Sequence, residues 1–343
     1  MAGRITIAEL AQKAGVSIST VDRMLNGRNP VRKATAERVI AAAEESGFYA
    51  THLLKERLGI GRPLVKLGFL LQQSNRIFYR LIAQALAQAA DETGAADETG
   101  AVEVLIEHMD DLSPEAVAAR MLAMGEQVDA LAVVSAEHPR VSQAIEALHG
   151  QGVPVFGLIS GLTAGCPTGL IGLDNYKVGR TAGWAMSRLS HRAGPVAILL
   201  GNHRYRCQEL NESGFRSYLR EHAPGLMLLE PISTFEDRHI ARDVTEALLQ
   251  REPDLVGLYN CGGGIVGVME ALADSGRSAG IVTVGHEMTA HTRAGLMDGI
   301  LSMAISHPVA RLAAEAIATM SGATKAGPGQ RLVPFEIHTP ENL

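Results

Sequence analysis

Residues 6–26, TIAELAQKAGVSISTVDRMLN, read as a short helix, a glycine turn and a second helix. Thr6 and Glu9 have the T-x-x-E spacing of a capping box, and Ile7, Leu10, Ala11 and Ala14 recur at helical spacing on one face. Gly15 can take the left-handed backbone that ends a helix, and Ser17 can cap the next one. In that second helix Val21, Met24 and Leu25 form an apolar side, which leaves Ile18, Ser19, Thr20, Arg23 and Asn26 on the other. Hydroxyl, amide and guanidinium groups on a free helix face are the chemistry that reaches base edges and phosphates in a DNA major groove.

Working outward, Gly27-Arg28-Asn29-Pro30 is a breaker, and a third helix is predicted over residues 32–45, with Val39, Ile40 and Ala43 inward and an end near Gly47. Residues 51–58, THLLKERL, can add a short helical turn before the Gly- and Pro-bearing stretch 59–63. The expected organisation is a helix-turn-helix head over 1–50, a hinge helix and linker over 51–63, and a body over 64–343. Charge follows the same division: residues 1–62 carry 10 Lys plus Arg against 6 Asp plus Glu, +4, whereas the remainder carries 21 against 31, −10. A cationic head and an acidic body would orient the chain on a phosphate backbone.

From Val65 short β-rich runs alternate with amphipathic helical ones: VKLGFLL, VEVLIEHM, ALAVVS, PVFGLI, GLIGLD, PVAILLG, LLEPIST, LVGLYN, IVTVGHE and LSMAIS. Near-continuous apolar strands joined by helices predict parallel sheets covered on both faces, and about ten strands in this length predict two doubly wound lobes with a ligand cleft between them. Functional groups then follow the carboxyl ends of strands. After the first strand come Gln72, Gln73, Ser74, Asn75, Phe78 and Tyr79, amides that can hold hydroxyls and rings that can cover a sugar face or simply pack. The hexapeptide AADETG occurs twice in succession, at 89–94 and 95–100, and its polar content favours a surface loop.

Other chemistry finds little footing. No apolar run reaches transmembrane length and no secretory leader is recognisable, so the expectation is a cytoplasmic chain with no membrane partner. Cys166, Cys207 and Cys261 are an odd number without a C-x-x-C pair, which predicts reduced thiols. Gly262-Gly263-Gly264 lacks the G-K-[ST] ending of a phosphate loop and reads as a tight turn. Ser160 lies in G-L-I-S-G, not in a nucleophile elbow, and His286, His291 and His307 lack metal-ligand spacing and read as surface or packing residues. Asp174-Asn175 reads as a helix cap. No cofactor, metal or enzymatic activity is expected.

The head resembles the lac repressor (LacI/GalR) family of bacterial transcription regulators. The resemblance rests on A-x-x-A-G-V-S at residues 11–17, S-T-V at 19–21, R-x-L-N at 23–26 and V-R-K-A-T at 31–35, and extends, by pattern, to a body similar to periplasmic sugar-binding proteins. It implies an all-α head plus an α/β effector domain of two doubly wound parallel-sheet lobes, the first spanning about 64–160 and 291–321 and the second about 161–290 and 322–343. By position it implies that Ile18, Ser19 and Arg23 face bases, that Ser17, Thr20 and Asn26, together with Thr6, serve phosphates, and that Val31 and Arg32 lie near the backbone. Arg23 can read guanine, or pair with a phosphate or with Asp22. Asp22 departs from the family's usual Ser. The hinge match is weak: Ala50 replaces a Pro, and Arg57 stands where a minor-groove Leu is usual, with Leu58 one residue later, so either could enter the groove. Asn211, Asn260 and Glu287 align with effector contacts, and Asn211 replaces a common Arg, which favours a neutral sugar or polyol. The implied partners are near-palindromic operator DNA, a small-molecule effector and a second copy of the chain, as a homodimer or tetramer. A sensor of phosphosugars, nucleobases or nucleosides, with cleft cations near Arg204 and Arg206, stays open beside this reading. So does an α/β enzyme with an accessory DNA-binding head.

Overall fold

The computed structural model describes residues 5–26, 31–58, 64–96 and 102–343, without the side chains of 33, 55–58, 94–96, 325 and 326. The chain divides into two compact units, Met1–Val65 with Ala90–Glu103, and Lys66–Ala89 with Val104–Leu343. In the first, four helices form the head: α1 (Ile7–Ala14), α2 (Ile18–Asn26), α3 (Lys33–Ser46) and α4 (Thr51–Leu58). The Thr6–Glu9 capping box is formed, and Gly15 ends α1 at φ 65°, ψ 40°. Ser17 accepts from the Thr20 N–H at the start of α2. Leu10, Val21, Met24, Val39, Ile40 and Leu54 share one buried cluster. Leu54 belongs to the stretch expected as hinge, so the first turn of α4 packs as part of the head.

The body opens with β1 (Val65–Gln72), α5 (Ile77–Ala96), β2 (Val102–Met109), α6 (Pro114–Gly125), β3 (Ala130–Val133), α7 (Pro139–Gly150), β4 (Val155–Leu158) and β5 (Gly169–Leu173). It continues through α8 (Asn175–Leu189), β6 (Gly194–Leu200), α9 (Arg206–His222), β7 (Leu226–Leu228), β8 (Ile232–Ser233), α10 (Arg238–Arg251), β9 (Gly257–Asn260) and α11 (Ile265–Ser275). The last elements are β10 (Val282–His286), α12 (Ala290–Met297), β11 (Met303–Ser306), α13 (Val309–Ala326), β12 (Gln330–Val333) and β13 (Glu336–His338). One sheet has the order β12-β5-β4-β3-β1-β2; the other runs β13-β11-β10-β9-β6-β7, with β8 also on β6. β3 pairs in parallel with β1 and β4, β5 with β4 and β12, β6 with β7, β8 and β9, and β10 with β9 and β11, whereas β11 and β13 are antiparallel. Burial on both faces explains why β3, β4, β9 and β11 read as unbroken apolar runs.

The lobes divide later in the chain than the sequence suggested. GLIGL, placed by the sequence reading in the second lobe, pairs with β4 as Phe156↔Gly169 and extends the first sheet. β11, placed in the first, pairs with β10 in the second, and β12, placed in the second, pairs with β5 in the first. The chain therefore crosses between lobes near residues 174, 307 and 335. The first AADETG copy continues α5, helical through Ala96, where a loop was expected; residues 97–100 of the second copy lie outside the described residues.

One packing feature positions the cleft. α8 and α9 cross with their backbones touching, because Gly179 faces the Asn211 carbonyl and Gly214 the Tyr176 carbonyl, each too close for any side chain. A bidentate Arg180–Glu221 pair, at 3.1 and 3.0 Å, clasps the two helices nearby.

Candidate functional sites

The exposed side of α2 is organised by short local bonds. Ile18 is 56% exposed at the helix start. The Ser17 hydroxyl lies 2.9 Å from that of Ser19 and 2.8 Å from that of Thr20. Arg23 folds along the helix, donating from Nε to the Ser19 carbonyl at 3.2 Å and from Nη2 to the Thr20 hydroxyl at 3.4 Å. Asn26 takes Asp22, donating to its carbonyl at 3.0 Å and its carboxylate at 2.9 Å. Thr6 is exposed but spends its hydroxyl on the α1 cap. Arg32 is exposed, whereas Val31 is half-buried against the head core. The side chains of Arg57 and Leu58 lie outside the described residues.

Between the lobes lies a cavity of about 390 Å³, at the carboxyl ends of β1, β4, β6, β9 and β10. Helix starts face it: Ile77 and Phe78 of α5, Cys207 and Gln208 of α9, and Ile265 of α11. Phe78 packs at 5.5 Å from the His307 ring and 5.4 Å from Tyr79, giving the cavity one aromatic wall. Glu287 and His307 form a dyad: His307 Nδ1 meets Glu287 Oε1 at 2.7 Å, and the His307 N–H donates to Oε2 at 3.2 Å. The buried His307 Nε2 has no partner. Asn211, 3% exposed, likewise has an unpartnered buried Oδ1.

Polar bonds join the lobes across this space. Arg76, in the loop after β1, pairs at 2.9 Å with Glu236, in the loop after β8. The Gln72 amide donates to the Tyr205 hydroxyl at 2.6 Å, and the Cys207 N–H to the Ser160 hydroxyl at 3.2 Å. Burial, with Glu236 adding to it, pushes the Tyr205 phenol up to about 12, so it stays protonated. Burial, with Glu236 adding to it, drives the Cys207 thiol up to about 12, which makes it inert as a nucleophile. His286 is held neutral, its pKa lowered to about 4 by burial, and its Nε2 lies 2.8 Å from the Tyr259 hydroxyl. Burial raises that phenol well above its ordinary value, so the bond joins a protonated hydroxyl and a neutral ring.

Among the described residues, four that are not glycine have left-handed backbone: Ile159 (φ 70°), Phe235 (φ 51°), Glu236 (φ 63°) and Glu287 (φ 64°). Three line the cavity and the fourth, Phe235, adjoins it. Such conformations gather where surrounding structure holds a site in shape.

Comparison with known proteins assigns both parts. Residues 6–50 match the model of bacterial regulatory proteins, lacI family, and residues 67–327 match the periplasmic binding protein domain. The chain belongs to the periplasmic binding protein domain family, with a lacI-family head. The maltose regulon regulatory protein MalI of Escherichia coli is 37% identical over 93 residues, 27% of each chain. The HTH-type transcriptional regulator MalR of Streptomyces coelicolor is 28% identical over 202 residues, 58% of this chain and 54% of its own. The matched stretches thus span about a quarter to a half of those relatives' length. Among solved structures, an Agrobacterium vitis solute-binding protein with bound α-D-tagatopyranose has a TM-score of 0.73 at 18% identity, covering 81% of this chain and 95% of that one. One from Actinobacillus succinogenes with bound D-allose has a TM-score of 0.69 at 18% identity, covering 81% and 98%. These likenesses establish a binding-protein fold. No helix among the described residues is long and apolar enough to cross a membrane.

In the periplasmic-binding-protein body, Gln72, Asn75, Phe78, Tyr79, Asn211 and Glu287 line the cavity as the sequence placed them. Gln73 and Asn260 do not. Gln73 turns to the Asp110 carbonyl at 3.2 Å, and Asn260, fully buried at the end of β9, turns back to the Gly262 carbonyl at 2.7 Å. The cavity also takes in His286, His291 and His307, which the sequence read as surface or packing residues, and Asn175, read as part of a helix cap. Sequence reasoning missed Arg76, Tyr205, Gln208 and Glu236. Arg204 and Arg206 are exposed outside it, with Arg206 paired to Glu209 at 3.0 Å. Among the described residues no group of three or more His, Cys, Asp or Glu is arranged to hold a metal ion.

Proposed function

We propose that this chain is a homodimeric, ligand-responsive transcription regulator, acting as a repressor of a carbohydrate uptake or catabolism operon, with a sugar or polyol as effector. One observation carries the reading: a single chain joins a lacI-family head exposing Ile18, Ser19 and Arg23 to a binding-protein cavity walled by Phe78 and Tyr79 and lined with amides. Rings stack on the apolar faces of sugars while amides and the Glu287–His307 dyad exchange hydrogen bonds with hydroxyls. The similar regulators MalI and MalR, and the sugar-bound solute-binding proteins that share the body's fold, support the reading. Two heads related by a two-fold axis would occupy the halves of a near-palindromic operator. If the lobes open and close, the bonds that join them would differ between the two arrangements, ligand and operator would bias one equilibrium, and a coupling of roughly 1–3 kcal/mol would change operator affinity about 5- to 150-fold.

The test is fluorescence anisotropy of the full chain on genomic fragments, with and without D-tagatose, D-allose, D-fucose, D-arabinose and maltose. One fragment should bind tightly and shift its Kd with one sugar, and Glu287→Ala should abolish that shift. Equal affinity for every fragment and for scrambled duplex, with or without sugar, would refute the proposal.

A further inference from the structure

The Gly262-Gly263-Gly264 turn, which lacks a phosphate-loop ending, opens α11 and faces the cavity. Glycine-rich turns at helix starts form concave nests of N–H groups that suit an anion. Here the chain supplies that anion. The Gly263 N–H donates to Glu236 Oε2 at 2.9 Å, Arg76 Nη1 reaches the same oxygen at 2.9 Å, and Gln208 Nε2 donates to Oε1 at 2.6 Å. Gln208 is itself fixed, its oxygen accepting from the Gly201 and Asn202 N–H groups at 2.7 and 3.1 Å. A Cβ on Gly201 or Gly263 would collide with the Glu236 carboxylate, and one on Gly262 would crowd it, so three glycines leave room for that group. The left-handed backbone of Phe235 and Glu236 turns the side chain into the cradle.

We infer that Glu236 occupies the place a ligand phosphate would take, and that the effector is therefore uncharged. This rests on the sugar-binding reading above and deepens it. The other ionisable groups around the cavity also have partners within the protein: Arg238 pairs with Glu270, and Glu287 is hydrogen-bonded to His307. A phosphate ester entering the cleft would meet the Glu236 carboxylate and, among the described lining residues, no unpaired Arg or Lys. The unmet groups point to hydroxyls: Asn211 Oδ1 and His307 Nε2, on residues 3% and 6% exposed, are hydrogen-bonding atoms without partners. Sugar or polyol hydroxyls can serve both, as they donate and accept alike.

Isothermal titration of the full chain with D-tagatose, D-allose, D-fucose, D-arabinose and maltose, and with glucose 6-phosphate, maltose 6-phosphate and inorganic phosphate, tests this. One uncharged sugar should bind, and the phosphates at least about tenfold more weakly, the scale set by juxtaposing like charges. Glu236→Gln keeps the side-chain volume but removes the charge and should narrow that ratio about tenfold. Arg76→Gln, which leaves the cradle filled, should gain no phosphate binding. A wild-type preference for a phosphate ester over the uncharged sugars overturns the inference while leaving a carbohydrate sensor in place. So does a folded Glu236→Gln chain with the wild-type ratio; if that variant fails to fold, the wild-type ratio and Arg76→Gln decide. Binding of no sugar in either form defeats the sugar-binding reading and this inference with it.

Discussion

On the head, the polar side chains of α2 bond to atoms no more than four residues away: Arg23 to Ser19 and Thr20, Asn26 to Asp22. In the body cavity the partners are 28 residues apart for Gln208 and Glu236, 133 for Gln72 and Tyr205, and 160 for Arg76 and Glu236. The difference separates two kinds of site. A face whose groups are held only by their own helix can exchange those bonds for a partner's one at a time, whereas a cavity tied by distant contacts changes as a unit. The first suits recognition by additive contacts, the second a switch.

The comparison breaks first if the body's distant contacts do not depend on one another. Gly214→Ala forces a methyl against the Tyr176 carbonyl, which should cost about 3 kcal/mol by overpacking and lower the melting temperature by roughly 5–10 °C, with sugar affinity falling too because Asn211 lies on the displaced helix. A wild-type melting curve would show that the α8–α9 crossing does not set the site. On the head, Arg23→Ala should weaken binding by about 1–3 kcal/mol at one base pair only, while Asn26→Ala weakens it on all sequences. Competition with single-base operator variants measures both, and equal losses on specific and random duplex would sink the assignment.

Acidification sharpens the contrast. His286 has its folded pKa depressed from 6.5 to about 4, so the unfolded chain binds the proton first; stability is complete above about pH 6.5 and is lost as pH falls toward 4. About 2 kcal/mol should be gone by pH 4.5, and His286→Gln should flatten that part of the profile in urea melts. An unchanged profile would remove His286 from the account. The smallest effect concerns the head alone: Asp22→Ser frees Asn26 and deletes an anion, and should tighten binding to any duplex about three- to fivefold at low salt, converging as salt rises. A gain confined to one sequence would mean that Asp22 reads a base.

The head was legible because its determinants are contiguous: the Thr6–Glu9 box, the left-handed Gly15 and the apolar triad Val21, Met24, Leu25 act within a turn or two. The alternation of apolar strands and helices gave the doubly wound class for the same reason. What escaped depends on pairing at a distance. LLEPIST looks like one strand but breaks at Glu230-Pro231 into β7 and β8, which join different parts of β6. Gln330–Val333 and Glu336–His338 carry no strand pattern of their own, being short edge segments whose register comes from β5 and β11. β5, β11 and β12 are where the lobe boundaries went astray. Half of the cavity could be read by following strand ends; Glu236 could not, because its place depends on two consecutive left-handed residues and on glycines up to 35 positions away, Gly201 among them. Nor do positions along the chain show that Asn260 faces inward to Gly262.

Four ordinary side chains hold a backbone shape that glycine adopts freely, each at a cost of about 1–3 kcal/mol, and all sit on or beside the cavity rim. The molecule thus keeps a reserve of thermal robustness that simple glycine replacements at Ile159 or Phe235 could release. Breeding this chain for heat tolerance would erode its rim first, and the toughest descendants would be the least discriminating.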